Sequence, residues 1–358
     1  MLGMSSHSLV FNTYYITSSF DFILKTQMEY ISARAPAYAR CCHRLLLLWA
    51  MLRYDVFHFY FDQGILERVD QIGVNNEELL ALQRAGKRVY LYAYGADVRT
   101  RAATLKLGEF NQCMHCDKVG QHCLCDDEEN RRKQALYQNL TTARVAMGDM
   151  VEYVPGAVNL AYWPFDVDAK TYVGVQWDGK RPLKILHVPN HPWAKGGHYL
   201  TSALENLRKR GIDFEFLQVS QKSNAEILRL MGEADIIADQ FINGWHGYTA
   251  LEAMALGKIV LCYIRDRRML EHGEECPIVS ASPDTLEQTL AEVARWSVDR
   301  ARQCGEAGRA YVARYHSIPA VADRLAQLYV DTAGFPSNVN EMLKVRQRQI
   351  RTDLARAA

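Results

Sequence analysis

Runs of β-forming residues alternate with stretches of helical periodicity along most of the chain, and this alternation constrains the fold more than any other feature. In the second half the pattern is regular. Strands are read at 183–188, 214–219, 235–238 and 258–264, and helices at 195–210, 224–233 and 247–256. The helix at 195–210 sets Leu200, Ala203, Leu204 and Leu207 on one face, the 3.6-residue period of a helix packed on a sheet. Strands separated by helices of this length form right-handed βαβ units and a parallel sheet. The first half repeats the theme less cleanly, with strands at 56–61 and 88–95 and a helix at 76–85 between them. From Pro283 the pattern is helical to about Val330. The chain reads as α/β, without internal repeats or low-complexity segments.

Residues 168–182 interrupt the alternation, carry Gly174, Gly179 and Pro182, and read as a linker. With 358 residues, and about 100–200 per domain, two domains are expected: 1–167, which includes a Cys-rich loop at 108–127, and 183–330. Residues 331–358 are basic and read as a C-terminal helix crossing back to the N-terminal domain, with Leu343, Ile350 and Leu354 as its apolar stripe. The net charge of +1, from 42 Lys plus Arg against 41 Asp plus Glu, argues against binding a nucleic-acid polymer. The opening residues lack the basic start and apolar core of a secretory signal. The longest strongly apolar run, Leu45 to Leu52, is eight residues, whereas a membrane span needs roughly 20. A cytoplasmic location is expected, with association at the inner face of the membrane as an option.

The most informative segment runs from Asp235 to Ile264. A strand leads into a loop with Gly244 and Gly247, and a helix follows at once. Small residues let a ligand approach the backbone, and a helix N-terminus offers unpaired N–H groups to an anion. Glu252, inside that helix, can accept two hydroxyls, as a ribose diol presents them. Read alone, these features also fit an ordinary strand–helix turn with a solvated Glu. The stretch GWHGYTALEAMALGK resembles the signature of retaining GT-B glycosyltransferases of the family-4-like group, usually E-x-F-G-x-x-x-x-E-A-M-A-x-G-x-P-V. Gly247, Glu252, Ala253, Met254, Ala255 and Gly257 match. The resemblance implies that Glu252 holds the donor ribose and that Gly247, Tyr248 and Thr249, with His246 beside them, face the sugar and diphosphate. The family's first Glu, which contacts the donor sugar, is Gly244 here.

Upstream, residues 185–204 resemble the strand–loop–helix that opens the donor domain of the same group. Lys195 before Gly196 matches the family's diphosphate-gripping Lys, and Asn190, with His191 beside it, stands at the position of its Arg. A lysine there can neutralise a leaving diphosphate, although a lone Lys is more often a solvated surface residue. In the first half, YGADVRTR follows a strand and is similar to the family's H-G-x-D pattern, with Gly95, Asp97 and Arg99 matching and Tyr94 in place of His. Asp97 and Arg99 are candidates for acceptor hydroxyls or a phosphate; the alternative is an Asp–Arg pair bracing the loop. The first β-like run, 9–15, resembles the family's second strand, so an N-terminal sheet one βα unit short is expected.

Two further features stand apart. Cys113, Cys116, Cys123 and Cys125 form C-x2-C-x6-C-x-C, a set that suits a structural zinc, the alternative being a loop of thiols. The helix near residues 38–54 carries Arg40, Arg44 and Arg53 and no acid. Its continuous apolar run fits a helix packed into the N-terminal domain better than a basic face resting on anionic lipid.

The resemblance implies a GT-B architecture, two Rossmann-like domains with parallel sheets facing a cleft. It implies transfer of a sugar from a UDP- or GDP-sugar to a hydroxyl of a glycan or lipid-linked acceptor, with retention and with no cofactor required for catalysis. Two rivals are a nucleotide-sugar epimerase of the same fold and a non-catalytic nucleotide-sugar-binding relative, the latter motivated by Gly244, Asn190 and Tyr94 at family positions.

Overall fold

The computed structural model describes residues 6–10, 20–23, 35–66, 73–114, 116, 118–167, 171–189 and 192–332. Contacts divide the chain into two compact units. Unit 1 comprises 1–102, 119–160 and 326–358; unit 2 comprises 103–118 and 161–325. Residues 161–182, which contain the segment read as a linker, therefore fold with unit 2, and the Cys-rich loop is divided between the units. Asn190, His191 and the tail after Gly334 lie outside the described residues.

In unit 1, β1 (Leu9–Val10) and β2 (Phe22–Ile23) form a short parallel pair, and Phe11 to Tyr15 of the expected first strand lie outside the described residues. The main described sheet is parallel and runs in chain order: β3 (Val56–Tyr60), β4 (Arg88–Tyr92), β5 (Ala143–Ala146), β6 (Val158–Asn159). Its connections include α2 (Asn76–Arg84), capped by Asn75, and α3 (Asp127–Leu140), capped by Asp126; each cap accepts first-turn N–H groups. The preceding helix, α1 (Pro36–Arg53), was expected to be packed, but only a narrow stripe of Ala39, His43, Leu47 and Ala50 is buried. A continuous apolar run covers every side of a helix, so part of it must face outward when one side packs. Leu45, Leu48, Trp49 and Leu52 are exposed.

Glu78 of α2 is fully buried, and its two carboxylate oxygens accept the N–H groups of Ile65 at 2.8 Å and Leu66 at 3.0 Å. Burial raises its pKa from 4.5 to about 7, against the opposing pull of those two bonds. The folded chain then holds this proton to a higher pH than the unfolded chain does. Its contribution to stability is full below 4.5 and is lost as pH rises towards 7. Relative to the native protein, Glu78→Gln should lose less stability at pH 8 than at pH 5, by on the order of 3 kcal/mol in urea melts. Equal pH slopes for the two proteins would show that Glu78 is ionised throughout.

Unit 2 contains a five-stranded parallel sheet of order β11-β10-β9-β7-β8, formed by β7 (Leu183–His187), β8 (Phe214–Gln218), β9 (Ile236–Ala238), β10 (Ile259–Cys262) and β11 (Val279–Ser280). Every strand expected after residue 180 is present. One face, through Leu183, Ile185, Ile236, Ala238, Ile259 and Leu261, packs on Leu200, Ala203 and Leu207 of α5 (Gly197–Lys209) and on Leu286 and Leu290 of a later helix (Leu286–Val293). Alternation sends Leu186, Ile237 and Val260 to the other face, where they are also buried. The helix expected as one piece over 195–210 is broken: α4 (Pro192–Lys195) ends at Gly196, whose φ is +71°, and α5 starts anew. Only glycine adopts that backbone without penalty. A Cβ at Gly197 would stand 2.8 Å from His187 Nε2, so the second glycine lets α5 abut the sheet.

Candidate active site

The strand order of unit 2 locates the site. From β7 the chain passes to β8 on one side and then to β9 on the other, which makes the carboxyl ends of β7 and β9 a topological switch point. Ligands of open α/β sheets bind in the crevice that opens there. The two loops leaving these strands carry Lys195 and the stretch Asp239 to Gly247.

Lys195 Nζ lies 2.6 Å from Asp239 Oδ1, and the N–H of Gly247 donates to Asp239 Oδ2 at 2.5 Å. One buried carboxylate thus ties both loops together. Burial by itself would push the Asp239 pKa up; the Lys195 ammonium, reinforced by the Gly247 N–H, holds it below the ordinary carboxylate value. Asp239 was not among the residues expected from the sequence. The available signal was an acid placed directly after a buried strand, at the end where ligands sit.

Gly247 is the N-cap of helix α7 (Tyr248–Ala255) and brings no side chain to its first turn. The first-turn N–H groups of such a helix, here those of Tyr248 and Thr249, suit an anion. A Cβ at Gly247 would stand 3.1 Å from Asp239 Oδ2 and 3.5 Å from Lys195 Nζ, so a side chain here would intrude on the ion pair. Glu252 follows on α7, nearly buried, and accepts a hydrogen bond from Asn224 Nδ2 at 2.8 Å. Asn224 opens α6 (Asn224–Glu233) and bonds one oxygen of the carboxylate.

Other expected residues occupy different places. The His246 ring is buried, stacked on Trp245 and edge-on to His316, and burial holds its pKa below the ordinary value. It supports the loop from within. Tyr248 is exposed, with its hydroxyl donating to the Pro164 carbonyl at 3.1 Å and its ring against Trp163 and Phe165. Gly244 has φ +76°, and a Cβ there would meet the Arg265 guanidinium at 2.7 Å. A side chain at this position would be strained by the backbone and would have to displace the arginine.

In unit 1, Asp97 is buried at the carboxyl end of β4, where its oxygens accept the N–H groups of Gly95 at 2.8 Å and Tyr94 at 3.1 Å. Burial raises its pKa to about 7. The Arg99 guanidinium lies 3.7 Å from Asp149 and over the Tyr153 ring. Asp97 thus braces its own turn, and Arg99 reaches across to the segment that follows β5.

Cys113 and Cys116 belong to unit 2, Cys123 and Cys125 to unit 1. None of the four is in a disulfide. Among the described residues no group of three or more His, Cys, Asp or Glu side chains is placed to hold a metal ion.

No family model and no curated protein matches the sequence. Solved structures do. HepE from Anabaena, in complex with UDP and glucose, is 13% identical, with a TM-score of 0.51 over 84% of this chain and 82% of that one. Sucrose-phosphate synthase from Thermosynechococcus elongatus is 14% identical, with a TM-score of 0.54 over 84% and 78%. A glycosyltransferase from Rickettsia africae ESF-5 is 12% identical, with a TM-score of 0.52 over 87% and 89%. What is shared at these identities is the fold: this chain has the α/β fold of the GT-B glycosyltransferases, two Rossmann-like units built on parallel sheets.

Proposed function

We propose that the chain is a glycosyltransferase that moves a sugar from a nucleoside-diphosphate donor to a hydroxyl acceptor with retention of configuration. The observation that carries this reading is Asp239 tying Lys195 to the start of α7 at one switch point, with Glu252 further along the same helix. These supply a cation and oriented N–H groups for a diphosphate, and a carboxylate for a ribose diol. The donor classes known from the neighbours support it, since HepE was solved with UDP-glucose and an alpha-glucosyltransferase of the same fold with UDP-glucose and DNA.

In this reading the acceptor oxygen bonds to the anomeric carbon as the bond from that carbon to the diphosphate oxygen breaks. The hydroxyl proton passes to the departing diphosphate, and the nucleoside diphosphate leaves. Lys195 and the N–H groups of α7 stabilise charge that grows on the diphosphate, which is catalysis by differential binding. Thermal melts with a panel of UDP- and GDP-sugars test the reading, because a ligand at 100 times its Kd stabilises by about 2.7 kcal/mol. A chain stabilised by none of them would not bind such a donor.

The exposed Leu45, Leu48 and Leu52 of α1, with Arg40, Arg44 and Arg53 on the same helix, support peripheral binding to anionic lipid. No helix among the described residues is long and apolar enough to cross a membrane. Sedimentation with phosphatidylglycerol vesicles should capture the native chain, and Leu52→Glu should weaken capture several-fold. Capture unaffected by that change would dissociate α1 from the membrane.

A further inference from the structure

Arg265 follows β10, and its backbone N–H donates to the Gly244 carbonyl at 2.9 Å. Its side chain packs directly over Gly244, and its Cδ stands 3.8 Å from where a Cβ on Gly108 would be, all within unit 2. Gly244 thus leaves room for the arginine stem. The side chain is part-exposed. Among the described residues its guanidinium makes no hydrogen bond and no ion pair. The neighbouring acid, Asp266, is engaged instead by Arg268, at 2.9 Å through Nε and 2.7 Å through Nη2. A guanidinium held at its stem, unpaired at its head and set on the loop that leads to Gly247 is arranged to receive an oxyanion from outside the chain. Its planar fork of donors matches a carboxylate or phosphate in two parallel bonds.

We propose that Arg265 binds an anionic oxygen group of the donor and so selects which donors this site accepts. The proposal rests on the donor reading above and deepens it. Two groups of such a donor have this chemistry: the diphosphate, and the carboxylate of a uronic-acid sugar. At Lys195 the positive charge is bonded to Asp239, whereas the acid beside Arg265 takes its hydrogen bonds from Arg268. A glutamate in the place of Gly244 would repel the same group.

The test is calorimetric titration of UDP, UDP-glucose and UDP-glucuronate into the native chain, Arg265→Gln and Arg265→Lys, each checked by thermal melt. Loss of one charge-assisted fork is expected to weaken binding by about 10- to 100-fold. A loss confined to UDP-glucuronate assigns Arg265 to the sugar carboxylate; an equal loss for all three ligands assigns it to the diphosphate. Arg265→Lys should recover only part of the affinity, because an ammonium keeps the charge but not the fork. Unchanged affinity for every ligand in folded Arg265→Gln overturns the proposal and leaves the donor reading standing. A native chain that binds none of the three, and none of the GDP-sugars of the panel above, overturns both.

Discussion

Lys195→Ala is expected to lower kcat by about 10²–10³-fold, the range seen when a donor to transition-state charge is removed. The negative charge on the diphosphate rises as the glycosidic bond breaks, so the lost interaction belongs to the transition state rather than to donor binding. The substitution has a second consequence that must be separated from the first. Asp239 is wholly buried, whereas the Lys195 side chain is 18% exposed. Removing the lysine strands a carboxylate that cannot reach water, and breaking a buried pair in this way costs about 3–5 kcal/mol. Removing the carboxylate strands a lysine that can turn towards solvent, at lower cost. Lys195→Ala should therefore be the less stable single variant, and adding Asp239→Asn to it should restore much of the lost stability while kcat stays low. Single-turnover rates and urea melts on the native chain, the two single variants and the double variant measure both effects. Normal turnover in Lys195→Ala would remove the diphosphate role from this residue.

Glu252→Gln is expected to weaken donor affinity by about 10- to 150-fold, the equivalent of a hydrogen bond to a charged group worth roughly 1.5–3 kcal/mol. The ribose does not react, so Glu252 holds it equally in the ground and transition states, and kcat should change little. Glutamine retains a carbonyl oxygen for Asn224 Nδ2, which preserves the contact that orients the side chain. A fall in affinity can then be assigned to the ligand rather than to repacking. Calorimetric Kd values beside kcat at saturating donor decide the matter, and full affinity in Glu252→Gln would leave the ribose without its proposed partner.

Much of unit 2 was legible from residue order alone, because its determinants are local. The period of Leu200, Ala203 and Leu207 and the strands on either side reappear as α5, β7 and β8. The small residues and Glu252 that follow β9 are likewise contiguous, so a loop, a helix start and a carboxylate on that helix could be placed together. The helix at α1 was legible, but which of its sides would be covered was not, since a run that is apolar on every face carries no directional signal.

The pairings that make the site are of another kind. Lys195 and Asp239 stand 44 residues apart, and no spacing rule connects them; they meet because β9 lies beside β7 while β8 lies on its other side. The break at Gly196, which turns the lysine onto that carboxylate, reads in the sequence as one more residue of a helix. Arg265 reaches Gly244 from the end of the next strand, and Asp97 and Arg99, neighbours in sequence, turn to different partners. Periodicity and motif thus determined the elements and the residues of α7. The order in which strands pair, which no local pattern encodes, decided which charged side chains face one another at their ends.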